Sequence, residues 1–172
     1  MLLSEHGIAH AVIGAAALAV HGVSRATADL DLLALDPVCL DPATWRDLRA
    51  AGLAVDVRHG DADDPLAGLV RITDTAGAAL DLVLGKSAWQ RGILARAQLG
   101  RIAEVELPVA TAADLILLKL YAGGPQDLWD VHRLLEAHPP ELVAEVEERL
   151  AVLPADCARL WQRVAQERSH PS

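Results

Sequence analysis

Apolar and polar residues alternate in several short segments of the chain, and this alternation predicts strands. The clearest case is Asp29 to Leu33, where acidic and aliphatic residues alternate with a period of two. Upstream, a short apolar segment ends at Gly14 and an alanine-rich stretch follows, which predicts a strand, a turn and a helix stopped by His21 and Gly22. Further strands are predicted at 53–58, at 69–73 and 78–84 as a hairpin, and at 104–109 as a sheet edge.

Helical patterns dominate the second part of the chain. Thr111 is predicted to cap a helix that is apolar nearly all round, and further helices are predicted over 126–135, 141–153 and 156–167. Shorter helices are predicted at 1–6, 43–51 and 87–95, the last capped by Ser87. The pattern therefore predicts an α/β fold: a small mixed twisted sheet flanked by helices over 1–110, with a helical C-terminal part over 111–172 packed on that core.

Net charge, cysteine spacing and the length of apolar segments limit the kinds of partner and compartment to be expected. The 172 residues carry a net charge of −9, which argues against a broad basic surface for nucleic acid. Cys39 and Cys157 lack metal-ligand spacing and are expected to be free thiols in a reducing compartment. The apolar segment 8–20 is too short and too interrupted to span a bilayer. We therefore expect a cytoplasmic protein without a membrane partner.

Carboxylates on the predicted strands are the first candidates for chemistry. Asp29 and Asp31 point to the same side of a strand, where their repulsion is most simply offset by a divalent cation such as Mg²⁺. The alternative is that both are solvated on an edge strand. Asp81 is the one charge inside the strand 78–84, so it is expected to be paired, metal-bound or turned to solvent on the open side of the sheet.

Two further features suit a phosphate. The turn at Gly14 allows close backbone approach, and the following helix offers free N–H groups at its N-terminus. Lys119 is the only cation in the apolar helix, so it needs an anion unless it extends to the surface. Asp127 and Asp130 are neighbours on the next helix, near its N-terminus, where acidic residues also act as helix-stabilising charges.

At these residues the chain resembles a known superfamily. Gly14-Ala15 followed by Asp29-Leu30-Asp31 is similar to the signature of nucleotidyltransferases related to DNA polymerase β. The longer string through His21-Gly22, Arg25 and Thr27 resembles the AbiEii/AbiGii-type nucleotidyltransferases, many of which are toxins of toxin–antitoxin systems. A second block runs from Lys119 through Asp127-Leu-x-Asp130 to Leu135, so the resemblance covers roughly residues 8–136.

The resemblance implies a metal-dependent transfer of a nucleoside monophosphate from an NTP to a hydroxyl of an RNA, such as a tRNA, or of a protein. It also implies a cognate antitoxin protein as a partner. The implied ligands of Mg²⁺ or Mn²⁺ are Asp29, Asp31 and Asp81. The implied catalytic pair in the second block is Lys119, which balances phosphate charge, and Asp127, which orients it. The implied phosphate contacts are Gly14, Ala15, Arg25 and Thr27, although a structural salt bridge from Arg25 to Asp29 or Asp31 remains an alternative.

Departures from the family pattern support a second hypothesis. Ala15 stands where the superfamily usually has Gly or Ser, and Gly124 and Gln126 are uncharged where relatives usually carry basic residues. These differences favour a catalytically weak module that binds a nucleotide or a protein on the same fold.

Overall fold

The computed structural model describes residues 2–5, 7–25 and 29–169. The chain divides into two compact units, one formed by Met1–Ala17 with Arg25–Ala110 and the other by Leu18–Ser24 with Thr111–Ser172. We call these the sheet unit and the helical unit. The assignment of 18–24 to the helical unit is a feature that the sequence pattern does not indicate.

The sheet unit contains one open sheet. Within the described residues its strands are β1 His10–Ile13, β2 Leu30–Ala34, β3 Ala54–His59, β4 Leu66–Thr73, β5 Ala79–Gly85, β6 Gln98–Ile102 and β7 Val105–Val109. They lie in the order β3-β4-β5-β2-β1-β7-β6. The pairs β2–β5 and β1–β7 are parallel and the other neighbours are antiparallel. The predicted mixed α/β architecture and the predicted β4–β5 hairpin are confirmed.

Helices connect the strands and form the second unit. The sheet unit has α1 Leu2–Glu5, the start of α2 Gly14–Val20, α3 Arg46–Ala50 and α4 Gln90–Arg96, with 3₁₀ turns at Pro37–Leu40 and Pro42–Trp45. The helical unit has α5 Ala112–Ala122, α6 Pro125–Ala137, α7 Glu141–Leu150 and α8 Ala155–Ser169. As predicted, the Thr111 side chain caps α5 by accepting from the Asp114 N–H.

The register of the central strands separates apolar side chains from charged ones. Val70, Leu82 and Leu32 are Cα partners in one row across β4, β5 and β2, and all three are fully buried. Each such side chain contributes roughly 1.5–3 kcal/mol by leaving water. The neighbouring row, which points to the opposite face, consists of Arg71, Asp81 and Asp31. Period-two alternation therefore places the core on one face and the charges on the other.

Three local predictions are wrong. The strand at 104–109 is not at an edge, because β7 is covered on one side by β1 and on the other by β6. The helix predicted at 87–95 begins only at Gln90, whose side-chain Oε1 accepts from the Ser87 N–H, so the Ser87 hydroxyl is not its cap. The helix predicted at 43–51 is split into a 3₁₀ turn and the short α3.

Both cysteines lie within the described residues. Cys39 and Cys157 are free and buried, and burial together with the charge of Asp36 raises the pKa of the Cys39 thiol to about 11. Among the described helices, none is both long enough and apolar enough to cross a bilayer.

Candidate functional site

Three carboxylates meet on one face of the sheet unit. Asp31 and Asp81 are direct Cα partners in the parallel pair β2–β5, so their side chains lie side by side about 5 Å apart at the backbone. Asp29 immediately precedes β2, and its carboxylate lies on the same face because one arginine of the sheet, Arg71, contacts both Asp29 and Asp81. The structure thus brings together all three carboxylates that the sequence singles out.

The Gly14 turn lies directly against this carboxylate cluster. Ile13, the last residue of β1, pairs with Asp31, and the chain then turns into α2 with Gly14 at φ +63°. A Cβ atom built on Gly14 would lie 2.0 Å from Asp31 Oδ2. The turn therefore requires glycine twice over, for its left-handed backbone and for the space that the carboxylate fills. Ala15 follows in the first turn of α2 and is buried.

Replacing Gly14 with alanine should lower the free energy of unfolding by more than the roughly 1–2 kcal/mol that a left-handed backbone alone costs an L-residue. Gly52→Ala is the matched control, because Gly52 has φ +88° but a Cβ atom added there would meet no described heavy atom within 4 Å. Urea denaturation of both variants measures the difference. Equal losses in the two variants would show that Asp31 does not press against the turn.

A fourth charged residue, which the sequence analysis did not single out, completes the cluster. Arg71 of β4 is the Cα partner of Asp81. Its Nη1–H donates to Asp81 Oδ2 at 3.1 Å and its Nη2–H donates to Asp29 Oδ2 at 3.0 Å. The sequence did contain an indication of this pairing, because Arg71 and Asp81 are the charged residues in the two strands of one predicted hairpin.

The donor set suits a hard divalent cation. Carboxylate oxygens are the ligands that Mg²⁺ prefers, and Asp81 Oδ1 is buried without a hydrogen-bond partner among the described residues. The described residues contain no group of three or more His, Cys, Asp or Glu side chains already arranged as a metal site. In the arrangement observed, the guanidinium of Arg71 lies between Asp29 and Asp81. The three aspartates therefore suit a divalent cation, because their ligand atoms are carboxylate oxygens and the sheet register brings them together. Arg71 is the positive charge that competes with such a cation.

The helical unit contains a second charged cluster, around Lys119. Lys119 Nζ lies 2.9 Å from Asp127 Oδ1 and 2.8 Å from Asp130 Oδ2. Asp127 also accepts the N–H of Gly124 at Oδ2, so it caps α6 and pairs with the lysine at once. The Asp130 side chain is 0% exposed and that of Lys119 is 16% exposed. The expectation that Lys119 needs an anion is therefore met inside the unit, by two carboxylates.

The pKa of Lys119 reflects these contacts. Burial lowers the pKa of its ammonium, but the hydrogen bonds to Asp130 and Asp127 more than reverse that effect, so the pKa is raised above its ordinary value of 10.5. Lys119 is consequently charged at physiological pH. Sequence reasoning placed Asp130 beside Asp127 near the N-terminus of the helix and did not assign it to Lys119.

Two predicted phosphate contacts remain, Arg25 and Thr27. Arg25 is half-buried and directly precedes 26–28. Thr27 lies outside the described residues. The contacts described for Lys119 and Asp127 lie within the helical unit.

No protein-family model and no curated protein matches the chain. Among solved structures, it is similar to the antibiotic-resistance factor ANT(2'')-Ia, with 15% identity, 98% of this chain and 88% of that chain covered, and a TM-score of 0.48. It is similar to the lincosamide antibiotic adenylyltransferase LnuA at 10% identity, with 80% and 92% covered and a TM-score of 0.49. An antigenic nucleotidyltransferase-like protein from Paracoccidioides brasiliensis gives 16% identity, 97% and 85% covered, and a TM-score of 0.49. At these identities and scores the likenesses assign neither family nor activity, so a function has to be inferred from the residues themselves.

Proposed function

We propose that the chain is a divalent-metal-dependent nucleotidyltransferase that transfers a nucleoside monophosphate from an NTP to a hydroxyl of an RNA or protein acceptor. One observation carries this proposal. Asp31 and Asp81 are register partners on adjacent parallel strands, with Asp29 on the same side and the Gly14 turn against Asp31. Three carboxylates beside a glycine turn that opens a helix suit a triphosphate with its cations.

Each residue of the cluster has a role in the proposed reaction. Asp29, Asp31 and Asp81 would hold Mg²⁺ or Mn²⁺, which when bound neutralises triphosphate charge and acidifies the acceptor hydroxyl. Asp81 would accept the proton of that hydroxyl as its oxygen forms a bond to the α-phosphorus and the bond from the α-phosphorus to pyrophosphate breaks. The backbone N–H groups at Gly14 and Ala15 would face the phosphates. Arg25 and Thr27 remain predicted phosphate contacts on the evidence of the sequence.

Lys119 and Asp127 enter the proposal on different grounds. The sequence resemblance assigns Lys119 to phosphate neutralisation and Asp127 to its orientation. Their mutual contact of 2.9 Å supports the second half of that assignment, the orienting role of Asp127. A nucleotide would have to compete with two carboxylates for the same ammonium, so the proposed phosphate role needs a direct test of activity.

Binding of a cation with NTP should raise the melting temperature of the protein, because a ligand that binds only the folded state stabilises it by mass action. The double variant Asp29→Asn with Asp31→Asn should lose the shift produced by MgATP or MnATP. The control pairs Asp47→Asn with Asp63→Asn, two exposed positions outside the cluster. An undiminished rise in melting temperature in the Asp29→Asn/Asp31→Asn variant would contradict a cation site at these residues.

The acceptor molecule and the nucleotide base of the donor are identified by incubating the protein with each α-labelled NTP, Mg²⁺ and either total RNA or a protein extract. Label in RNA identifies an RNA acceptor, and label in protein identifies a protein acceptor. The toxin role and its antitoxin partner, which the sequence resemblance suggests, are tested separately by expressing the chain in a host and measuring growth. Growth arrest that depends on Asp31 would support that role.

A second candidate function is nucleotide or protein binding without turnover. The observation that favours it is Arg71, which already forms ion pairs with Asp29 and Asp81. In that case NTP would bind and shift the melting temperature with no label transferred to any acceptor. Binding without transfer, reproduced with every NTP and both acceptor pools, would favour this alternative.

A further inference from the structure

Arg71 occupies a specific position in the carboxylate cluster. Its guanidinium uses two different nitrogens to reach two different carboxylates, Asp81 at 3.1 Å and Asp29 at 3.0 Å. Asp81 belongs to β5 and Asp29 immediately precedes the neighbouring strand β2, whereas Arg71 comes from β4 on the far side of β5. The arginine therefore reaches past its own register partner to the next strand.

The sheet register dictates this arrangement. Arg71 pairs with Asp81, and Asp81 pairs with Asp31, so the three side chains emerge in one row on the same face. A planar guanidinium presents several N–H groups at fixed angles and can bridge two carboxylates, which a lysine ammonium does less well. The positive charge of Arg71 beside Asp29 and Asp81 offsets part of the repulsion between these carboxylates.

We propose that Arg71 is the resident counter-ion of the carboxylate cluster, and that a divalent cation binds Asp29 and Asp81 only when the guanidinium has left them. This inference rests on the proposed function, since it concerns the same carboxylates. The two cations compete because the Arg71 guanidinium holds Oδ2 of both Asp29 and Asp81, and its positive charge repels a second cation at the same carboxylates. Ion binding then selects the minor state with the arginine withdrawn, and apparent affinity is reduced by that state's population.

The competition also gives Arg71 a function once it is displaced. Its side chain is 42% exposed, so the guanidinium has room to turn away from the sheet. A triphosphate offers the guanidinium new anionic oxygens when the cation takes its former carboxylate partners. Nucleotide and cation should accordingly bind with positive coupling, each removing part of the penalty for the other.

The test measures Mn²⁺ binding to nucleotide-free protein. Binding is monitored by the decrease in the electron paramagnetic resonance signal of the free ion. Arg71→Met removes the charge and keeps an apolar stem. If the withdrawn state has a population near one tenth, the dissociation constant for Mn²⁺ should fall about tenfold in this variant. The metal-free variant should also melt at a lower temperature than the native protein and regain stability when Mn²⁺ is added.

Arg101→Met is the matched control. Arg101 lies in β6 and is ion-paired with the exposed Glu104, so its removal deletes one positive charge without releasing a carboxylate beside Arg71. A change in Mn²⁺ affinity equal to that of Arg71→Met would indicate a general charge effect and overturn the proposal.

The remaining outcomes are distinct. Equal Mn²⁺ binding by native protein and Arg71→Met overturns the inference and leaves the proposed function standing. Absence of Mn²⁺ binding in both, with and without NTP, overturns the cation site on which both proposals depend. If Arg71→Met fails to fold, Arg71→Lys serves instead, because one ammonium cannot reproduce the two-nitrogen bridge. Its Mn²⁺ dissociation constant should lie below the native value, and an unchanged value would contradict the proposal.

Discussion

Replacing Lys119 with methionine is expected to lower the free energy of unfolding by roughly 3–5 kcal/mol, the usual range when one partner of a buried ion pair is removed. The reason is Asp130, whose side chain is fully buried and whose Oδ2 lies 2.8 Å from the lysine ammonium. Without Lys119 that carboxylate keeps its burial and loses its counter-ion. Urea or thermal denaturation of the purified variant measures the loss.

A second substitution isolates the cause. Lys119→Met combined with Asp130→Asn removes the stranded charge and should recover part of the lost stability, so the two effects should not be additive. Lys86→Met is the control for losing a lysine, since Lys86 is exposed and its ammonium contacts only backbone carbonyls among the described residues. A stable Lys119→Met variant would contradict the structural role and return weight to the predicted role at the nucleotide phosphates.

The pH dependence of this contribution follows from the raised pKa of Lys119. A group whose pKa is higher in the folded protein than in the unfolded chain stabilises the fold below the unfolded value, here 10.5, and the gain is lost as pH rises through the folded value. The stability difference between native protein and Lys119→Met should therefore not decline between neutral pH and about pH 10 through lysine titration. A decline that begins near neutral pH would contradict the raised pKa.

Replacing Asp31 with asparagine is expected to reduce nucleotide transfer by about 10²-fold or more, the size of effect seen when a charge aligned with the reacting centre is lost. The metal-free variant should be at least as stable as the native protein, because one of three mutually repelling carboxylates becomes neutral. Asp81→Asn should differ, because it weakens a contact that Arg71 makes at 3.1 Å and so lowers stability as well as activity. Clear destabilisation by Asp31→Asn would instead assign Asp31 a structural role.

Local patterns predicted much of the sheet unit. The alternation from Asp29 to Leu33 has a period of two, and that period alone places both acids on one side of a strand. Gly14 between an apolar segment and an alanine-rich one marked the strand, turn and helix that the structure shows. The apolar surroundings of Lys119 correctly required an anionic partner.

Register and burial across elements were not accessible from local patterns. Arg71 became part of the cluster only because β4 pairs with β5 in a register that sets it opposite Asp81. Asp130 was predicted as a helix-stabilising acid near the N-terminus of its helix, yet it contacts Lys119 of the preceding helix and is buried. The edge position was misassigned because β6, with its exposed Leu99 and a glycine, lacks the enrichment in β-branched residues that marks a strand.

The most direct test of the proposed chemistry is transfer of label from an α-labelled NTP to an RNA or protein acceptor, measured with Mg²⁺ for native protein and for Asp31→Asn. Native protein is expected to label the acceptor and release pyrophosphate, and chelation of the metal or the Asp31→Asn substitution should abolish both signals. Equal labelling by native protein and Asp31→Asn, with folding of both verified, would contradict nucleotidyl transfer at the carboxylate cluster.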